Sequence, residues 1–181
     1  MAKWQTLSTR VAYENPFTRV HEDQVINPLG KQTVYGWIES TSGSVYVVPV
    51  DEDGNTYLIR QYRYPIQQAV WECVAGRVDG ESPEVAAGRE VLEETGLKAE
   101  SITRIGELYM ADGIATFKMA VCIARGLTQV TDEVGVDEEI LEVRKLPLSE
   151  AIEQIMAGTV QCGPSVAALF MAKTYLEKET A

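Results

Sequence analysis

The sequence predicts an α+β fold, and three observations predict it. The first third of the chain alternates short runs rich in Val, Ile, Tyr and Trp with turn residues, a central segment carries both a helix-start and a helix-stop signal, and two apolar-periodic segments close the chain. Strands come first, then helix, strands and two helices, the order of a sheet covered by helices. With 181 residues, 45% of them hydrophobic, the chain can bury one good core and is too short for two ordinary domains. The expectation is one main domain with an N-terminal extension.

Residues 10–14 (RVAYE), 17–26 (FTRVHEDQVI), 32–40 (QTVYGWIES) and 44–50 (SVYVVPV) read as strands, with NPLGK at 27–31 as a turn. DEDGN at 51–55 leads into a further strand, TYLIRQYRY at 56–64, and a hairpin is expected there. A calcium loop is the alternative for that acidic turn, but Gly54 stands too early for one. Ser82 as N-cap, Pro83 at the first helical position and Gly96 as the stop predict a helix over Pro83–Thr95. In that helix Val85, Gly88, Leu92 and Thr95 are expected to turn toward the core. Segments 102–110, 116–124 and 139–146 read as strands. Helices are expected over 148–157, ended by Gly158, and over 164–178, with Val166, Leu169, Phe170 and Leu176 on one face.

Lys and Arg total 16 against 27 Asp and Glu, a net charge of −11. Such a balance disfavours nucleic acid and anionic membrane surfaces as partners. A small anionic substrate would need a cation between it and the chain. Cys73, Cys122 and Cys162 lie far apart and form no Cys-x-x-Cys pair, so neither a disulfide framework nor a zinc site is indicated, and core packing in a reducing cytosol is the expected reading. The N-terminus has no apolar signal segment, and the apolar runs at 119–124 and 166–172 are too short to span a bilayer. A soluble, cytoplasmic protein is expected. His21, the only histidine, sits among polar strand residues and reads as an incidental surface residue.

Five glutamates fall in the fourteen positions from Glu81 to Glu94. Residues three and four apart are neighbours on a helix, so Glu90, Glu93 and Glu94 are expected to share a face, with Arg89 pairing with Glu93 one turn on. Carboxylates that converge need a neutralising partner, and a hard divalent cation such as Mg²⁺ takes oxygen ligands of this kind. A solvated acidic face is the plain alternative.

The full spacing favours the metal site. Glu81, seven residues, then Arg-Glu-Val-Leu-Glu-Glu-Thr-Gly-Leu resembles the signature of the Nudix hydrolases, with Arg89, Glu90, Val91, Glu93, Glu94, Gly96 and Leu97 each in its place. One departure stands out: four residues separate Gly76 from Glu81 where the family pattern has five. RQYRYP at 60–65 and WECVAG at 71–76 resemble elements of the ADP-ribose and nucleoside diphosphate sugar pyrophosphatases, with Val74 in the place where that branch usually has Pro.

The resemblance implies a Nudix fold, a mixed β-sheet sandwiched between α-helices over residues 43–181, and an N-terminal β extension over 1–42 that dimerises. It implies a pyrophosphohydrolase that cleaves a nucleoside diphosphate sugar such as ADP-ribose with Mg²⁺, or Mn²⁺ in its place. The metal ligands would be Glu90, Glu93 and Glu94 with the backbone carbonyl of Ala75. Arg63 is the candidate for a phosphate contact, because a guanidinium fork suits phosphate oxygens. Glu72 matches a substrate- or metal-contacting glutamate of the family, and Trp37 matches the aromatic that stacks on the nucleobase across a homodimer. Aligning residues 139–151 on Val143 and Leu146 puts Glu139 at the branch's general base, with Glu138 beside it and Gly135 as a hinge. A Nudix-fold sensor that binds nucleotide sugars without hydrolysing them is the alternative; metal-dependent turnover separates the two. An interaction protein that binds no Mg²⁺ is the third.

Overall fold

Strand β1 (Gln5–Glu14) pairs antiparallel with β2 (Arg19–Ile26), and β2 pairs with β3 (Gln32–Glu39). The computed structural model describes residues 3–132, 134–135 and 140–180. These divide into two compact units, Met1–Gly43 with Tyr109–Lys118, and Ser44–Leu108 with Met119–Ala181.

In the first unit the β2–β3 turn is built as its sequence requires: the Asn27 side chain accepts from the amides of Leu29 and Lys31, both at 3.0 Å. The inserted segment joins the sheet at β3, where Ile38 bridges Ala115 and the Tyr35 hydroxyl donates to Gly113 O at 2.7 Å. The β2–β3 register sets His21 opposite Trp37. Their rings stack at 4.1 Å and 10°, His21 Nε2 lies 2.8 Å from Glu39 Oε2, and Trp37 Nε1 donates to Asp23 Oδ2 at 3.0 Å. His21, with a side chain only 13% exposed, is therefore not the incidental surface residue its polar sequence neighbours suggest. All of β1 is exposed, including Leu7, Val11 and Tyr13.

The second unit contains β4 (Ser44–Pro49), β5 (Asn55–Arg63), β6 (Gln68–Arg77), α1 (Pro83–Thr95), β7 (Leu97–Lys98), β8 (Ser101–Tyr109), β9 (Lys118–Arg125), β10 (Thr128–Gln129), β11 (Ile140–Pro147), α2 (Leu148–Met156) and α3 (Gly163–Glu179). The six-stranded sheet runs β11-β5-β6-β4-β9-β8, with β4 and β9 parallel and β4–β6, β5–β6 and β11–β5 antiparallel. It is the expected mixed sheet. The DEDGN turn forms, since Asp51 Oδ1 accepts from the Asp53 and Asn55 amides at 3.0 and 2.8 Å. It does not make the expected hairpin. The bridge Val50↔Thr56 and the bond from Asp51 N to Asn55 O at 3.0 Å join its two arms, and β4 and β5 do not pair beyond them because β6 inserts between the two strands.

Alternation along the strands sends side chains to both faces. On one face Val45, Val47 and Val74 pack with Ala86, Ala87 and Val91 of α1; each fully buried valine contributes about 1.5–3 kcal/mol. On the other, the Cys73 amide donates to Ser165 Oγ of α3 at 3.0 Å. The core face of α3 is Ser165, Ala168, Leu169 and Ala172, small residues that let the helix approach the sheet, and Phe170 is 41% exposed rather than buried with Leu169. Cys73 and Cys122 are buried free thiols, and burial pushes Cys122 up to about 11, which fits inert core packing.

Candidate active site

The helix α1 starts and stops where its sequence dictates. Ser82 Oγ accepts from the Val85 amide at 3.3 Å, Pro83 opens the first turn, and Gly96 ends it at φ +69°. Its inward face is only partly the expected one: Thr95 is buried as expected. Val85 and Leu92 are 58% and 38% exposed, while Glu90 and Glu94 are 2% and 0% exposed. Burying two carboxylates beside each other costs stability, and a fold that does so at the end of a strand is arranged for chemistry.

Two backbone features of β6 receive those carboxylates. Glu94 Oε2 accepts from the Ala75 amide at 3.0 Å. The Glu90 carboxylate lies against Gly76, where a Cβ would come within 1.9 Å of Oε1 and 2.4 Å of Oε2. A side chain at residue 76 has no room there while Glu90 keeps this position.

Arg89 ties the surrounding pieces together. It reaches Glu90 Oε1 at 2.8 Å, Glu93 Oε2 at 2.9 Å and Glu81 Oε2 at 3.2 Å, and Nη2 donates to Arg77 O at 2.9 Å. Burial works against its charge, but the bonds it donates to Glu81 and Glu93 and the charge of Glu90 outweigh it and hold the guanidinium more firmly protonated than usual. The short loop after Gly76 therefore still delivers Glu81 to the helix. Glu93 makes the expected pair with Arg89 and is 48% exposed, and the same Arg89 Nη1 also holds Glu90.

A cleft of about 670 Å³ opens over this region, lined by Gln61, Arg63, Ala75, Gly76, Arg89 and Glu90, with Arg77, Asp79 and Glu81 completing the wall. Arg63 Nε and Nη2 donate to Glu72 Oε1 and Oε2 at 2.9 and 2.7 Å, a bidentate pair on a carboxylate that is 4% exposed. The bond to Glu72 raises the pKa of Arg63 despite its burial. Nη1 is the arm left to reach a ligand. Trp71, next in β6, is covered by the Arg144 guanidinium at 4.0 Å from its ring centre. A second cavity of about 360 Å³, beside Ile105, Phe170, Met171 and Tyr175, is apolar in its walls and holds no carboxylate cluster.

Of the residues singled out from the sequence, Arg63, Ala75 and Glu90 line this cleft, and Glu72 and Glu94 bond to Arg63 and Ala75 of its wall. Trp37 belongs to the first unit. Glu138 and Glu139 lie outside the described residues. Sequence reasoning missed Gln61, Arg77 and Asp79. For Arg77 there was a signal: a basic residue directly after the glycine that opens the motif, in a strongly acidic chain.

Among the described residues no three His, Cys, Asp or Glu side chains form a ready-made metal cage. The donor set nonetheless fits a hard cation: two buried carboxylates, Glu90 and Glu94, stand beside the Ala75–Gly76 backbone in a cleft that admits a phosphate-bearing ligand. Mg²⁺ is commonly held by one or two carboxylates, waters and substrate phosphates rather than by an all-protein cage.

The NUDIX domain model matches residues 41–163. The chain belongs to the Nudix family. A second model, the nucleoside diphosphate sugar hydrolase N-terminal domain, matches residues 4–38. Among curated proteins, this Nudix chain is similar to the GDP-mannose pyrophosphatase of Yersinia enterocolitica, 34% identical over 131 residues that cover 68% of this chain and 69% of that protein. It is also similar to the ADP-ribose pyrophosphatase of Mycobacterium tuberculosis, 29% identical over 160 residues, 87% of this chain and 77% of that protein. A solved structure described as an ADP compounds hydrolase superposes with a TM-score of 0.86 over 98% of this chain and 96% of its own, at 24% identity, and so shares the Nudix fold. Nudix hydrolases as a family depend on divalent metal. Among the described residues no helix is long and apolar enough to cross a membrane.

Proposed function

We propose that this Nudix protein is a Mg²⁺-dependent pyrophosphohydrolase that cleaves the diphosphate of a nucleoside diphosphate sugar such as ADP-ribose, giving a nucleoside monophosphate and a sugar phosphate. The observation that carries the reading is the pair of buried carboxylates, Glu90 and Glu94, set against the Ala75–Gly76 backbone in a cleft that also holds three arginines. The two similar proteins named above are pyrophosphatases of this substrate class, and the N-terminal match is to a nucleoside diphosphate sugar hydrolase domain.

Mg²⁺, or Mn²⁺ in its place, supplies phosphate charge neutralisation, leaving-group polarisation and water activation when bound. Glu90 and Glu94 with the Ala75 carbonyl would hold it, with Glu93 as a further carboxylate ligand. Arg63 steadies the diphosphate through Nη1 while Glu72 fixes the direction of the fork. Trp37 stacks on the nucleobase, its ring orientation held by Asp23 and His21. Glu139 takes the proton of the attacking water, with Glu138 as its neighbour. In support, Ile140, the residue after Glu139, pairs with Gln61 of the cleft wall, and Gly135 N donates to Glu93 O at 2.8 Å.

The working form is a homodimer joined through the N-terminal extension: β1 exposes Leu7, Val11 and Tyr13 along a ten-residue edge strand, a surface that a second copy covers. Buried free Cys73 and Cys122 suit the cytoplasm. The test is chromatography of products after incubation with Mg²⁺ and a panel of nucleoside diphosphate sugars, dinucleotides and nucleoside triphosphates. Nucleoside monophosphate and sugar phosphate from a nucleotide sugar are expected; turnover of triphosphates alone would overturn the reading.

A further inference from the structure

Three guanidinium groups line the cleft, those of Arg63, Arg77 and Arg89, and they differ in how firmly they are engaged. Arg63 is bound at two points to Glu72, whose buried carboxylate would be left without its counter-ion if the fork turned away. Arg89 braces Glu81, Glu90 and Glu93 and the Arg77 carbonyl at once. Moving it would dismantle the site.

Arg77 is placed differently. Its main chain is fixed, by pairing with Ser44 at the end of β6 and by the bond from Arg89 to its carbonyl. Its side chain is 50% exposed and donates from Nε to Asp79 Oδ1 at 2.9 Å, with Asp79 56% exposed. An ion pair exposed on both sides is worth little and exchanges partners readily. Asp79 itself has φ +44°, left-handed backbone that a residue with a Cβ seldom adopts, in the loop that is one residue shorter than the Nudix pattern. That backbone holds a carboxylate within reach of the one guanidinium of the three that can change partner without breaking the site.

We propose that Arg77 is a second guanidinium that grips the substrate's phosphate oxygens, beside Arg63, and that Asp79 is a resident anion which the phosphate displaces. The inference rests on the hydrolytic reading above and adds to it a specificity residue and its built-in competitor. A fork on phosphate can make two charge-assisted bonds, which lets a phosphate compete with the Asp79 carboxylate for Arg77. Discrimination follows, because a ligand without a phosphate in reach leaves Arg77 with Asp79.

Steady-state kinetics with ADP-ribose and Mg²⁺ test this, since the two partners should act in opposite directions. Arg77→Gln should raise KM by about 10–100-fold, with kcat within about threefold of wild type, and Arg77→Lys should recover part of the loss. Asp79→Asn should lower KM by about 2–5-fold, the range of a surface pair. If both variants raise KM alike, the pair merely braces the loop and the proposal is wrong; an unchanged KM for Arg77→Gln overturns it as well. Calorimetric binding of ADP with Mg²⁺ present separates this outcome from failure of the hydrolytic reading. Weaker binding to Arg77→Gln than to wild type is expected whether or not ADP-ribose is turned over, and equal binding, or none to wild type, contradicts the phosphate grip.

Discussion

The Glu90 carboxylate fills the space that a side chain at Gly76 would need, with Oε1 only 1.9 Å from the position of a Cβ. The strand end and the helix are thereby fitted to each other at the proposed cation site. Gly76→Ala should therefore leave the fold intact, because the clash is with the far end of a side chain that can swing aside, yet displace Glu90. Mg²⁺ affinity is expected to fall by about 10–100-fold, as when a ligand loses its support. Circular dichroism and a Mg²⁺ titration of activity check both halves; wild-type Mg²⁺ dependence would mean that Glu90 is not a ligand.

The general base gives a second prediction. Glu139→Gln should reduce kcat by about 10²–10⁴-fold with little change in Mg²⁺ affinity, the signature of lost proton transfer. An unaffected kcat would move the role to Glu138 or leave the water to the metal alone.

Trp37 and the dimer are tested together. Trp37→Ala should raise KM for ADP-ribose by about 2–10-fold, the equivalent of an aromatic stack, and leave kcat nearly unchanged. Light scattering at micromolar concentration should give twice the 20.0 kDa of one chain. A monomer mass would remove the shared site.

Asp51 makes stability depend on acid pH. Burial raises its pKa, but the bonds from Lys145 and Asn55 outweigh that and bring it from 3.8 to about 2. A carboxyl with a depressed folded-state pKa contributes stability above its unfolded value, and this is lost as pH falls through the folded one. Asp51→Asn should lower Tm by about 2–4 °C near neutral pH, and the gap from wild type should close between pH 3.8 and about 2. A gap that stays constant over that window would show that the turn bonds, not the charge, stabilise this corner.

What could be read from sequence here was what depends on near neighbours. Ser82, Pro83 and Gly96 mark both ends of α1 by local backbone chemistry, and the Arg89–Glu93 pair follows from helical spacing. The orientation of α1 did not follow, because apolar residues are expected to face inward. Here Val85 and Leu92 face out while Glu90 and Glu94 face in beside Ala86, Ala87 and Val91, an arrangement that hydrophobicity alone does not explain. Strand order was equally hidden. The DEDGN turn has the composition of a hairpin, and nothing within it tells that β6 separates its arms. The burial of His21 depends on a β2–β3 register that brings Trp37 alongside.

The central claim is that Glu94 serves hydrolysis by holding the cation. Glu94→Gln is nearly isosteric and keeps an oxygen to accept the Ala75 amide, so the fold should survive the change. The decisive measurement is the turnover of ADP-ribose at saturating Mg²⁺ by wild type and by this variant. The account predicts AMP and ribose 5-phosphate from wild type, and a rate at least about 10–100-fold lower from Glu94→Gln. Equal rates from the two proteins, or tight binding of ADP-ribose by wild type with no turnover, would contradict it.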